Sequence, residues 1–265
     1  MSTTVFLKLG GSLITEKTKA NTPRLDTIKR LVQEISAGLA HSPHIRLILG
    51  HGSGSFGHMA ARQFGTRQGV HTPFEWKGFA EVWHAADALN RLVTDALYEA
   101  GLPVISFSPA SMVISHSGGV LRWDLSPLKS ALEHGLLPLV YGDVIFDNEK
   151  GGTILSTEDL FVFMAKELHP QRILLAGIEP GVWADYPTCT HLVGEITPQN
   201  SLSFLDKSLG ASAAPDVTGG MAEKVRQALE MVRFAPDMEV LIFSGEEAGN
   251  VQQAISGKSL GTRLY

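Results

Sequence analysis

Six runs of consecutive apolar, β-rich residues recur along the chain, at 5–7, 45–49, 104–107, 136–141, 173–176 and 240–243. A strand with one face in water alternates apolar and polar residues, whereas a run that is apolar throughout needs cover on both faces. Stretches of helical periodicity lie between the runs, at 24–39, 74–100, 126–134, 158–167 and 221–234. This alternation points to an α/β fold with a mostly parallel sheet and helices on both faces.

Two segments break the pattern. Residues 111–123 carry Ser117-Gly118-Gly119, and 144–155 carry Asp147-Asn148 and Gly151-Gly152, between short β-like runs. Each reads as a hairpin at an edge or end of the sheet. Residues 188–214 are polar and weakly periodic, a loop-rich excursion. With no repeat or linker in the sequence, 1–265 reads as one continuous fold with two lobes.

The formal charge of −5 argues against broad nucleic-acid binding, which needs a basic face. No apolar run reaches the ~18 residues of a membrane span. The N-terminus lacks a basic segment leading into an apolar stretch, so the expected location is the cytoplasm. Cys189 is the sole cysteine, which excludes intrachain disulfides and cysteine-based metal clusters.

Three glycine-rich loops follow apolar runs. Lys8-Leu9-Gly10-Gly11-Ser12 and Thr218-Gly219-Gly220-Met221, with Lys224 one helical turn on, each set a lysine beside paired glycines. Without a Cβ, glycine lets backbone N–H groups approach phosphate oxygens, and a following helix adds its positive end. The first loop is not a Walker A sequence, and alone it reads equally as a tight turn with a surface lysine. Lys17 fits a solvated surface as well as a mobile cation reaching a phosphoryl group in transfer. The third loop, His51-Gly52-Ser53-Gly54-Ser55-Phe56-Gly57-His58, is rich in donors and ends where a helix begins. His58 there suits an anion, while Phe56 suits packing.

Ser156-Thr157-Glu158-Asp159 has the pattern of a helix cap. Asp159 is also placed to hold Lys8 and Lys224 in register or to help hold Mg²⁺. The stripe Phe74, Trp76, Phe79, Val82, Trp83 and Ala86 fits core packing, and equally an apolar pocket opening toward the anion site.

Taken together, these motifs resemble the amino acid kinase superfamily along the whole chain. Within it, Gly54-Ser55-Phe56-Gly57-His58 looks most like the isopentenyl phosphate kinases, which make isopentenyl diphosphate from isopentenyl phosphate and ATP in isoprenoid biosynthesis. The resemblance implies an open, three-layer αβα sandwich, an N-terminal substrate lobe, a C-terminal ATP lobe and a homodimer. By motif, Lys8, Leu9, Gly10, Gly11 and Ser12 would embrace the ATP phosphates, joined by Gly220 and Lys224. Lys17 would stabilise the transition state, and Gly54 would lie between donor and acceptor. Ser53 and His58 would meet the acceptor phosphate, Thr157 stands where the family has a substrate-contacting glycine, and Ile178 would approach the nucleoside. The aromatic stripe, through Phe79 and Trp83, suits a short branched alkenyl tail. The sequence departs from the family pattern in three places. Ser53 replaces a third glycine, Thr157-Glu158-Asp159 replaces Gly-Asp-Asp, and Gly177-Ile178-Glu179-Pro180 replaces Asp-Val-x-Gly.

The chemistry is consistent with that implication. A phosphate monoester, with a second pKa of roughly 6, is already a nucleophile at neutral pH. Its site must supply positive charge and N–H donors rather than a base. The alternatives are a kinase of the same fold acting on UMP, a phosphonate such as fosfomycin, or an acyl acceptor, and a nucleotide-binding protein without turnover.

Overall fold

In the computed structural model, which describes residues 2–200, 220–235 and 237–265, all six apolar runs become strands of one sheet. The first half contains β1 (Thr3–Leu9), α1 (Gly11–Ile14), α2 (Leu25–His41), β2 (Ile45–His51), α3 (His58–Phe64), α4 (Pro73–Glu99), β3 (Val104–Ser106) and α5 (Pro109–Met112). Next come β4 (Val113–His116), β5 (Gly119–Trp123), α6 (Ser126–Glu133), β6 (Leu137–Tyr141), β7 (Asp143–Asp147), β8 (Gly151–Leu155) and α7 (Thr157–Leu168). The remainder contains β9 (Arg172–Gly177), β10 (Val182–Trp183), β11 (Leu192–Val193), β12 (Glu195–Ile196), α8 (Gly220–Phe234), β13 (Glu239–Ser244), α9 (Asn250–Ile255) and β14 (Thr262–Leu264).

The main sheet has the order β12-β14-β13-β9-β1-β2-β6-β3. Its pairings are parallel except that of β13 with β14. β1 is therefore central, with Leu9 opposite His51 on β2 and opposite Ala176 on β9. Its side chains alternate between two buried cores. Val5, Leu7 and Leu9 pack with α2, α4 and α9 through Ile28, Leu31, Leu89 and Val251. Phe6 packs on the other face with α7 and α8 through Phe161, Met164 and Leu229. Fully burying each such side chain stabilises the fold by ~1.5–3 kcal/mol. Cover on both faces is the physical reason that the strands are apolar at every position, and the result is the expected αβα layering.

The two expected hairpins form and then join. β5-β4-β7-β8 is a second sheet in which β4 runs parallel to β7. Asp147 ties its turns together, accepting from Ser115 Oγ at 2.8 Å and from the N–H groups of Gly118, Glu149 and Lys150 at 2.8–2.9 Å. Burial opposes its charge, but these donors win and hold the carboxyl far below the usual range. The excursion at 188–214 contains the two-residue strands β11 and β12; its residues 201–214, with Thr218 and Gly219, lie outside the described residues. Among the described residues no helix is long and apolar enough to cross a membrane.

Candidate active site

The carboxyl ends of β1, β2, β6 and β9 meet the start of α7 at one edge of the main sheet, as ligand crevices do in open α/β folds. Leaving β1, Gly10 N–H donates to Ala176 O on β9 at 2.8 Å, and Gly52 N–H donates back to Leu9 O at 3.0 Å. The Lys8–Ser12 loop and the His51–His58 loop then touch backbone to backbone. A Cβ on Gly11 would lie 2.3 Å from Gly54 N, and one on Gly54 would lie 2.1 Å from Thr15 Oγ1. Gly54 also has φ +55°, a conformation costly for other residues. Thr15 Oγ1 fastens the pair by donating to Gly11 O at 2.8 Å and accepting from Ser55 N–H at 2.9 Å. These glycines are needed first for each other.

Lys8 is buried at the end of β1 and forms an ion pair with Glu158, which is buried in the first turn of α7. Burial pushes the Glu158 carboxyl up, but the charges of Lys8 and Lys224 outweigh it and hold the carboxyl below its ordinary value. Lys224 on α8 thus acts on the same carboxylate. This corrects the expectation for Asp159. That side chain closes the helix cap, accepting from Ser156 N–H at 2.7 Å and Ser156 Oγ at 2.8 Å, and from Gln227 Nε2 at 2.5 Å. Glu158 is the residue turned toward Lys8.

These groups enclose a cavity of ≈ 570 Å³. Among the residues expected at the site, Lys8, Gly10, Gly11, Ser12, Lys17, Ser53, Gly54, His58, Thr157, Ile178, Gly220 and Lys224 line it. Leu9, Asp159, Phe79 and Trp83 do not. Leu9 is fully buried in the core on the α2 side. Thr157 reaches the wall with its hydroxyl committed to His51 O at 2.6 Å. Phe79 sits behind the wall, its ring 5.1 Å from Trp76 and 5.2 Å from Phe146, and Trp83 is 41% exposed. The residues of that stripe facing the cavity are Val82 and Ala86, one helical turn apart on α4, with Ile154 of β8 nearby. On α4 Val82 and Ala86 share one flank of the stripe and Phe79 and Trp83 the other, so the aromatic pair is rotated away from the cavity.

His58 opens α3 directly after Gly57, which has φ +83°. His51 has a different role. Fully buried, it stacks on Tyr141 at 5.5 Å with Nε2 3.4 Å from Asn90 Oδ1, and burial pushes its pKa down to about 4. It is a neutral support beneath the loop. The sequence reading missed Arg62, one turn after His58 on the same helix face, although that spacing was available to be read. It also missed Asp143 and, at the Ile178 end, Trp183, whose Nε1 donates to Glu179 Oε2 at 2.9 Å. Among the described residues no group of three or more His, Cys, Asp or Glu could hold a metal ion, and Glu158 already faces lysine charge. The described side chains do not form a cage for Mg²⁺.

Residues 3–244 match the amino acid kinase family. The chain belongs to that family. Among curated proteins, it is 30% identical to an isopentenyl phosphate kinase of Methanocaldococcus jannaschii, covering 98% of this chain and 97% of the relative. It is 35% identical to an isopentenyl phosphate kinase of Haloferax volcanii, over 93% of this chain and 97% of that one. An X-ray structure of isopentenyl phosphate kinase superposes with a TM-score of 0.81 at 29% identity, covering 98% of this chain and 99% of that chain. A product complex of the Thermoplasma acidophilum enzyme, named T. acidophilum isopentenyl phosphate kinase, gives 0.79 at 25% identity, covering 99% and 100%.

Proposed function

We propose that this protein transfers the γ-phosphoryl group of ATP to isopentenyl phosphate, forming isopentenyl diphosphate and ADP. The observation that carries the reading is one cavity with cationic and donor groups beside an apolar wall: Lys8, Lys17, Lys224 and His58 together with Val82, Ala86 and Ile154. Full-length similarity to isopentenyl phosphate kinases supports the same reading.

The acceptor's phosphate is largely dianionic at neutral pH and attacks through its own oxygen, so no general base is needed. The obstacle is two anions brought within in-line distance. Lys8, paired with Glu158, and Lys224, which acts on the same carboxylate, meet the ATP phosphates with the N–H groups of Gly11 and Ser12. Lys17 stabilises the phosphoryl group in flight. His58 and the Ser53–Gly54 backbone hold the acceptor phosphate, and the Val82–Ala86 wall takes the short alkenyl tail. Mg²⁺ entering with ATP would supply further positive charge to the phosphates, beside Lys8 and Lys224. The family likeness further supports an N-terminal acceptor lobe, a C-terminal ATP lobe, a homodimer and a cytoplasmic location.

A coupled ADP-release assay with isopentenyl phosphate, dimethylallyl phosphate, fosfomycin and UMP tests the reading. The highest kcat/KM is expected for isopentenyl phosphate. Faster turnover of UMP or fosfomycin overturns the acceptor assignment, and no ADP release with any acceptor overturns the kinase.

A further inference from the structure

Asp143 begins β7 just after the chain leaves β6 through Gly142; it lies opposite Leu155 on β8 and forms part of the wall of the cavity that Ala86 also lines. The residue is 1% exposed. Its Oδ1 accepts Val144 N–H at 2.8 Å, and Ala110 N–H also donates to the carboxyl. Oδ2 is buried without a hydrogen-bond partner, and among the described residues no cation pairs with the group. The groups facing it offer little compensation. Asp87 on α4 adds a like charge, while Tyr141, at the end of β6, directs its hydroxyl to Asp87 Oδ1 at 3.4 Å and Ser108 Oγ at 3.3 Å and assists Asp143 least. His51, stacked on Tyr141, is neutral. The cavity's other charged groups, with His58 on α3, are the Lys8–Glu158 pair, Lys17, Lys224, Arg62 and Glu179.

A carboxylate in this place would be an uncompensated buried charge beside a second carboxylate, and a proton removes the conflict. Burial first, and then the Asp87 charge, push its pKa up to about 7 against the pull of the two backbone donors. A protonated carboxyl gains a donor that requires an acceptor, and the mechanism above gives it no part.

We propose that Asp143 is a positioning residue of the acceptor site, which carries a proton just beneath the cavity surface and disfavours a phosphate dianion beside it once that proton is lost. The inference rests on the phosphate-acceptor reading above. Its proton stays on Asp143 throughout; phosphoryl transfer makes and breaks no bond there.

The test compares wild type with Asp143→Asn, which stays neutral at every pH, and with the smaller Asp143→Ser should the first not fold. KM for isopentenyl phosphate and for ATP is measured from about pH 6 to about pH 9. The wild-type acceptor KM, divided by that of the variant, should rise about tenfold per pH unit above the titration, while the same ratio for ATP stays flat. Dividing by the variant cancels any contribution of His58, which both proteins retain. Infrared difference spectra, with inorganic phosphate as the probe, should show a protonated-carboxyl stretch in wild type that shifts on phosphate binding and is lost in the variants. A pH-independent acceptor ratio, parallel ratios for both substrates, or the absence of that stretch overturns the proposal. Wild type that turns over no isopentenyl phosphate overturns the functional reading instead, and the infrared result then decides the role of Asp143 alone.

Discussion

Lys17 is exposed at the cavity while Lys8 is buried against Glu158, and this separates what their removal does. Lys17→Met should lower kcat while leaving both KM values nearly unchanged, because a cation that meets the migrating group acts in the transition state. Lys8→Met should also destabilise the fold, since it strands a buried carboxylate, a loss of ~3–5 kcal/mol when one partner of a buried pair is removed. Steady-state kinetics and urea melts of the two variants test the contrast; an unchanged kcat in Lys17→Met returns that residue to the solvated surface. His58→Ala should lower kcat/KM for the acceptor by roughly ten- to a hundred-fold, the ~1.5–3 kcal/mol of a charge-assisted contact, with ATP affinity little altered. At this scale the placing of Lys8, Lys224 and His58 at the cavity was legible, because glycines mark their loops, whereas Lys17 carries no such mark. The sequence was ambiguous where two carboxylates adjoin. Asp159 is captured by Ser156 in the cap, and the preceding position is thereby turned toward β1; residue order alone does not say which of the two the cap will take.

Among the elements, α4 sets the shape of the apolar wall. Val82→Ala should admit longer phosphates such as geranyl phosphate at a stability loss of about 2 kcal/mol, the value of two buried methyl groups. Phe79→Ala, one layer behind, should cost ~3–5 kcal/mol as a core cavity and bring little gain on the longer substrate. Thermal melting together with activity on geranyl phosphate checks both variants, and a gain confined to Phe79→Ala would put the wall on the other side of the helix. The long elements were readable because continuous apolar runs and helical periods persist over many residues. β10, β11 and β12 are two residues each and β14 is three, too short to show a period. The parallel pairing of β4 with β7 is invisible to local turn signals, because the contact of Ser115 with Asp147 spans 32 residues.

For the whole molecule, two buried groups oppose each other in pH. His51, lowered from 6.5 to about 4, supports stability fully above pH 6.5 and loses that support as pH falls through its folded value. Asp143, raised from 3.8 to about 7, supports it below pH 3.8 and loses that support as pH rises through its folded value. Between about pH 4 and 6.5 the two slopes cancel. Asp143→Asn should therefore make stability rise with pH over that interval by up to about 1.4 kcal/mol per unit, and His51→Gln should make it fall. Urea midpoints across the interval measure the slopes; identical slopes in both variants would remove these groups from the balance. The position of β1 has another bearing, on how the protein comes into being. Its β2 edge is satisfied early in synthesis, but its β9 edge stays open until Arg172–Gly177 leaves the ribosome. The Glu158 partner of Lys8 arrives 150 residues after it, and Lys224 later still. A nascent chain therefore holds half a cradle until both have emerged, and the capacity to move phosphate is acquired only then.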